Sequence, residues 1–118
     1  MTQLDQALLG LKSHEGVEHL LLVGTDGLLI RHVGEADGVS ADTVAAMVPG
    51  VVAAAGALAR AVGGDQASTA VLELDDGVAI VTTLSPEMLL AILVRSGVGF
   101  PSLLRELRRE RGRLAELV

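Results

Sequence analysis

Few side chains in this 118-residue sequence have the type and spacing that chemistry requires. The stretch HEGVEH, residues 14–19, comes within one residue of the HExxH zinc motif. Zinc-binding histidines sit four apart so that both lie on one helix face. His14 and His19 are five apart, about 140° around a helix at 100° per residue. Gly16 also points to strand entry rather than helix. A bound metal needs three or four converging ligands, so the spacing favours a solvated His14 and a packed His19. His32 lies across the following hairpin and is near enough in sequence to approach His19. Asp75-Asp76 offers two carboxylates for a cation, but Asp is also ordinary turn chemistry, and the turn is the commoner explanation.

Five arginines, Arg105, Arg108, Arg109, Arg111 and Arg113, cluster near the C-terminus. They suit either an acidic partner or a solvated helix face. Glu106 with Arg109 and Glu110 with Arg113, three residues apart, favour the solvated face. Arginines without interleaved aromatic residues are a poor nucleic-acid signature. The sequence contains no phosphate-binding P-loop, no GxGxxG and no GxSxG. With no cysteine, thiolate metal sites, disulfides and cysteine nucleophiles are excluded. No catalytic constellation, metal site or cofactor site is expected.

The composition sets the frame. The net charge of −6 argues against general nucleic-acid binding. Residues 1–98 carry four basic and twelve acidic residues, whereas 99–118 carry five arginines and three glutamates. Half of the residues are hydrophobic and one, Phe100, is aromatic, so the core must be aliphatic. Length and composition predict one globular domain, residues 1–118. The abundance of Ala, Gly, Val and Arg fits GC-rich bacterial codon usage better than thermophily. The N-terminus has no basic leader before an apolar run, which predicts a cytoplasmic protein.

Periodicity supplies the elements. Leu4, Leu8 and Leu11 mark a helix over residues 2–12. VEHLLLV (17–23) and LLIRHV (28–33) flank Asp26-Gly27, a hairpin turn signal, and their apolar runs suggest strands covered on both faces. A polar loop covers 34–39. Ser40 is a good N-cap for a helix that runs to Val62 and ends at Gly63-Gly64, with Pro49 expected to kink it. Residues 67–84 form a second hairpin turning at Asp76-Gly77, and MLLAILV (88–94) a buried strand. A last helix opens at Pro101 or Ser102 and buries Leu103, Leu107, Leu114 and Leu117 or Val118. The order is α-β-β-α-β-β-β-α, an α+β fold with a five-stranded antiparallel sheet.

The central helix is the unusual element. VAAMVPGVVAAAGALARAV (44–62) carries a single charge, Arg60. It is short, weakly hydrophobic and interrupted by Pro49, a poor membrane span. At 100° per residue, Val44, Val48, Val51, Ala55, Leu58 and Val62 make a core stripe. Ala46, Gly50, Ala53, Ala57 and Ala61 lie opposite, where a helix facing water should be charged. Small side chains permit close backbone approach. A second copy of the protein against this face is therefore expected, with an Ala-rich solvated surface as the plain alternative. The strand at 67–74 has few charges and would lose its edge liability by pairing with its twin.

The hairpin VEHLLLVGTDGLLIRHVG, the helix SADTVAAMVPGVVAAAGALARAVGG, the hairpin AVLELDDGVAIVTTL and MLLAILV with its Leu/Arg helix together resemble the Roadblock/dynein light-chain family, most closely its bacterial gliding-motility regulators. The resemblance spans nearly the whole chain and rests on the order of elements more than on any one motif. It implies the central helix on one sheet face and the terminal helices on the other. It also implies a homodimer with strand 67–74 paired to its twin, bringing in Val71 and Glu73. The implied partner is a Ras-like small GTPase docked over the paired helices, with Arg60 a candidate contact. Three functions follow as expectations: a non-catalytic GTPase regulator, a scaffold subunit without effect on nucleotide turnover, or a small enzyme or ligand-binding domain using His19 or His32.

Overall fold

A computed structural model describes residues 2–35 and 38–118; Met1 and part of the loop expected over 34–39, at Ala36 and Asp37, lie outside the described residues. The elements are α1 (Gln3–Lys12), β1 (Val17–Gly24), β2 (Leu29–Gly34), α2 (Ala41–Ala61), β3 (Thr69–Leu74), β4 (Gly77–Ser85), β5 (Met88–Arg95) and α3 (Pro101–Leu117). The strands form one antiparallel sheet in the order β2-β1-β5-β4-β3. This is the expected α+β architecture. Two hairpin units meet at the central β1–β5 pair, and α2 carries the chain from one sheet edge to the other.

Alternation along the strands feeds two separate cores. Leu20, Leu22, Ile80, Leu90 and Ile92 join Leu8 and Leu11 of α1 and Leu103, Leu107 and Leu114 of α3 on one face. Leu21, Val23, Val81, Leu89 and Ala91 pack against Ala45 and Val48 of α2 on the other. Each large aliphatic side chain so buried stabilises the fold by about 1.5–3 kcal/mol relative to exposure. The central strands are therefore apolar on both faces, as their continuous runs predict.

Local chemistry fixes the ends. Thr2 caps α1 in a capping box with Asp5, whose backbone N–H donates to Thr2 Oγ1 at 3.0 Å. The Ser40 hydroxyl accepts from the Thr43 backbone N–H at 3.3 Å and opens α2. Pro101 occupies the first turn of α3, where its missing N–H costs nothing.

Three expectations change. β2 is not covered on both faces: as an edge strand it leaves Arg31 exposed and its flanking Leu28 67% exposed. The β1–β2 turn uses a positive φ at Gly27, +85°, as expected. The β3–β4 turn does not, since neither Asp75, Asp76 nor Gly77 has positive φ. Gly77 is required there by proximity instead, because a Cβ would collide with the Val94 carbonyl oxygen of β5. Finally, Leu58 and Val62 are not core residues, being 66% and 77% exposed. A 21-residue helix is about 31 Å long at 1.5 Å per residue, whereas five strands at 4.8 Å spacing place the outer two about 19 Å apart. The last turns of α2 reach the β3 edge, beyond which no sixth strand lies.

Candidate protein-interaction surface

The charge-poor surface of α2 follows from its sequence and its length together. The sheet-facing stripe is Ala45 and Val48 with Val44, Val51 and Val52 at its margins. Ala46, Gly50, Ala53, Ala57 and Ala61 all project away from the sheet and are exposed. On the flank of the helix stand Met47, 68% exposed, and Leu58. Between Leu58, Val62 and strand β3 runs an open apolar groove of about 650 Å³, lined also by Val51, Ala54, Ala70 and Leu72. The β3 residues Val71, Leu72, Glu73 and Leu74 are exposed as well. Apolar side chains of this size, contiguous and wet, mark an interaction surface.

The residues expected at an interface thus fall into two neighbouring groups, the small face of α2 and the β3 edge. Sequence reasoning missed the residues that join them, Leu58 and Val62, because the helical period assigned them to the core. The available signal was the length of α2 against the width of the sheet. Arg60 is the one basic residue of α2 in its last turn. It is exposed and extends back over Gly56, with Nη1 3.5 Å from where a Cβ on that glycine would stand. It has no ion-pair partner among the described residues.

The other candidates lie apart from this surface. His19 and His32 do meet: His19 Nδ1 is 3.0 Å from His32 Nε2 and the rings stack at 5.2 Å. His19 is buried, on β1, beside the half-buried edge residue His32. No group of three potential metal ligands converges among the described residues. Asp75 and Asp76 are exposed at the β3–β4 turn. On α3, Arg109 pairs with Glu106 at 2.6 Å and Arg113 with Glu110 at 3.4 Å, as their spacing predicts; Arg105 and Arg108 remain solvated and unpaired among the described residues. By length and composition α2 could cross a membrane; in this fold its inner stripe instead lies on the sheet.

Residues 3–94 match the Roadblock/LC7 domain family. The fold is that of Myxococcus xanthus MglB, with a TM-score of 0.86 at 18% identity over 99% of this chain and 95% of that one. A structure described as MglB with tetrameric arrangement gives 0.86 at 19% identity, over 98% and 87% of the two chains. A Roadblock/LC7 domain from Streptomyces avermitilis gives 0.75 at 26% identity, over 93% and 89%. No curated protein matches the sequence.

Proposed function

Because the chain belongs to the Roadblock/LC7 domain family, we propose that it is a non-catalytic homodimeric regulator that binds a Ras-like small GTPase and modulates its nucleotide cycle. The observation that carries this reading is the exposed outer surface of α2 from Ala46 to Ala61, on which Arg60 is the one charge. On a monomer this surface has no structural use; between two copies it supplies both a dimer seam and a platform. The twin lies against Ala46, Gly50, Ala53, Ala57 and Ala61, and the Val71–Glu73 edge of β3 joins its counterpart. The GTPase docks over the paired helices, with Arg60 at the contact. The whole of 1–118 acts as one domain, in the cytoplasm.

Regulation of this kind needs no active site in the regulator. Binding one arrangement of the GTPase switch segments more tightly than another shifts their populations, and only that difference in affinity changes turnover. The single cation of α2, solvated and not directed by any neighbouring group, suits a contact residue better than an arginine finger.

The alternative is a scaffold subunit of a signalling or motor-type assembly that leaves nucleotide turnover unchanged. The scarcity of charged groups on the docking face favours it, because electrostatic stabilisation of phosphoryl transfer needs such groups. Measuring GTP hydrolysis and nucleotide exchange by a small GTPase encoded beside this gene, with and without the protein, separates the two. A changed rate supports the regulator; binding with an unchanged rate supports the scaffold; no binding overturns the proposed partner.

A further inference from the structure

At the sheet edge opposite β3, two imidazoles tie strand β2 to β1. In the β1–β2 register His19 lies opposite Gly34, and His32 lies opposite Leu21, so the two histidines are diagonal neighbours on one face. Gly34 has a φ of +145°, which favours glycine. The His19 ring lies over it, where a Cβ would collide with Nδ1. From there His19 Nδ1 is 3.0 Å from His32 Nε2, and the rings stack with centroids 5.2 Å and planes 20° apart. The two rings are not equivalent. His19 is 2% exposed, set between Gly34 of β2 and Leu93 of β5, whereas His32 is half-buried on the edge strand.

A hydrogen bond between imidazoles needs one N–H and one lone pair. A neutral ring has one of each; an imidazolium has two N–H groups and no lone pair. The bond therefore forms with both rings neutral, and charge strengthens it when one ring is protonated. With both protonated no acceptor is left, and two positive rings face each other. His32, at the edge, is the ring able to swing out to water. The charged groups around the pair are mostly acidic. Glu18 of β1 and Asp75 and Asp76 of the β3–β4 turn line one cavity with His19; Glu35 follows Gly34, and Asp42 lies in the first turn of α2. Asp37 lies outside the described residues. Arg31 is turned to the other face, 3.6 Å from Asp5, and β5 contributes Leu93 and Val94. Carboxylates favour the first proton, but none returns the lone pair that the second removes.

We propose that the His19–His32 pair is a proton-operated latch on β2, closed while at most one of the two rings is protonated and open when both are. It lies at the edge away from the α2–β3 surface and goes beyond the regulator reading, standing whether or not the chain dimerises. β2 leads through residues 35–39 to Ser40, the N-cap of α2, so opening the latch also slackens the entry to the central helix. The closed pair takes the second proton less readily than the opened strand does. β2 therefore loses stability as pH falls through that step and regains it as pH rises. The first step has the opposite sign, so β2 is held most firmly between the two.

Ring-nitrogen NMR on the full chain, from about pH 8 downward through the range where imidazoles titrate, follows each proton. Amide exchange at residues 29–34, corrected for the intrinsic rate, follows the latch. The rings should titrate in two coupled steps. Protection of β2 should fall about tenfold through the second, as one charge-assisted hydrogen bond is lost, while β4 and β5 keep theirs. His32→Gln, whose amide donates and accepts at every pH, should flatten the β2 profile. His32→Ala should lower β2 protection throughout and serves as the second readout if His32→Gln folds poorly. Two independent titrations overturn the latch, as does a second proton that arrives without loosening β2. A second proton taken up only when the whole sheet unfolds also overturns it. If the β2 pH profile survives in His32→Gln, another group controls the strand and the histidine pair is not the latch.

Discussion

Gly77 shows how a residue can be right for a reason other than the one its sequence context suggests. Asp76-Gly77 reads as a turn demanding positive φ, yet the glycine is needed because β5 passes too close for a side chain. Gly77→Ala should therefore destabilise the domain by about 1–3 kcal/mol, as overpacking does, and urea unfolding measures it. Gly27→Ala, at a positive φ over the Ala46 backbone, tests the turn mechanism itself in the first hairpin. Asp5 makes a pH prediction. The Thr2 side chain, then the Thr2 backbone N–H, and more weakly the Arg31 guanidinium at 3.6 Å, hold its carboxyl below the ordinary 3.8. A depressed folded value means that the stabilisation is present above pH 3.8 and is lost as pH falls through the lowered value. The urea midpoint of Asp5→Asn should consequently lose less than that of the unmodified chain over the same acid range. An identical acid limb in both proteins would remove Asp5 from the account.

At the scale of elements, α3 and α2 respond differently to truncation. Leu107 is fully enclosed by the sheet and α1, so Leu107→Ala should cost about 2–5 kcal/mol by lost burial and the cavity left behind. Leu58 has the same chemistry at a helix position of similar sequence character, but it is two-thirds exposed. At any concentration low enough for the protein to be monomeric, Leu58→Ala should cost well under 1 kcal/mol, as surface changes do. At high concentration the same variant should weaken self-association. A large cost for Leu58→Ala in the monomer would show that α2 seats its last turns on the sheet after all. The strands, by contrast, were legible as strands: β1 and β5 read as long aliphatic runs because they are covered on both faces, and β2, read the same way as β1, departs from that reading as an edge strand.

For the whole molecule the decisive property is whether it stands alone. Ala53→Glu puts a charge on the small face of α2, opposite the sheet. Burying it unpaired at a seam costs several kcal/mol, so light scattering should report a shift from dimer to monomer at concentrations where the unmodified chain is dimeric. An unchanged mass would remove the small face of α2 from the dimer seam and move the helix contact to the Leu58 flank. The acidic body and basic α3 add long-range structure to the charge, yet the paired glutamates on α3 return part of it to solvent balance. Exposed pairs of this kind contribute about 0–1 kcal/mol each, so they tune association rates more than the fold.

The sequence by itself determined the number, order and type of elements, the aliphatic core and the absence of cysteine chemistry, because periodicity and turn residues are local and each acts within a few positions. It also marked α2 as having too much apolar surface for one sheet to cover. The tertiary structure alone decided which residues hold the surplus. Strand order placed β3 at an edge, the width of five strands fell short of the helix above them, and so Leu58 and Val62 passed from core to surface. Those are distances between elements far apart in the chain, and helical or strand period carries no information about them.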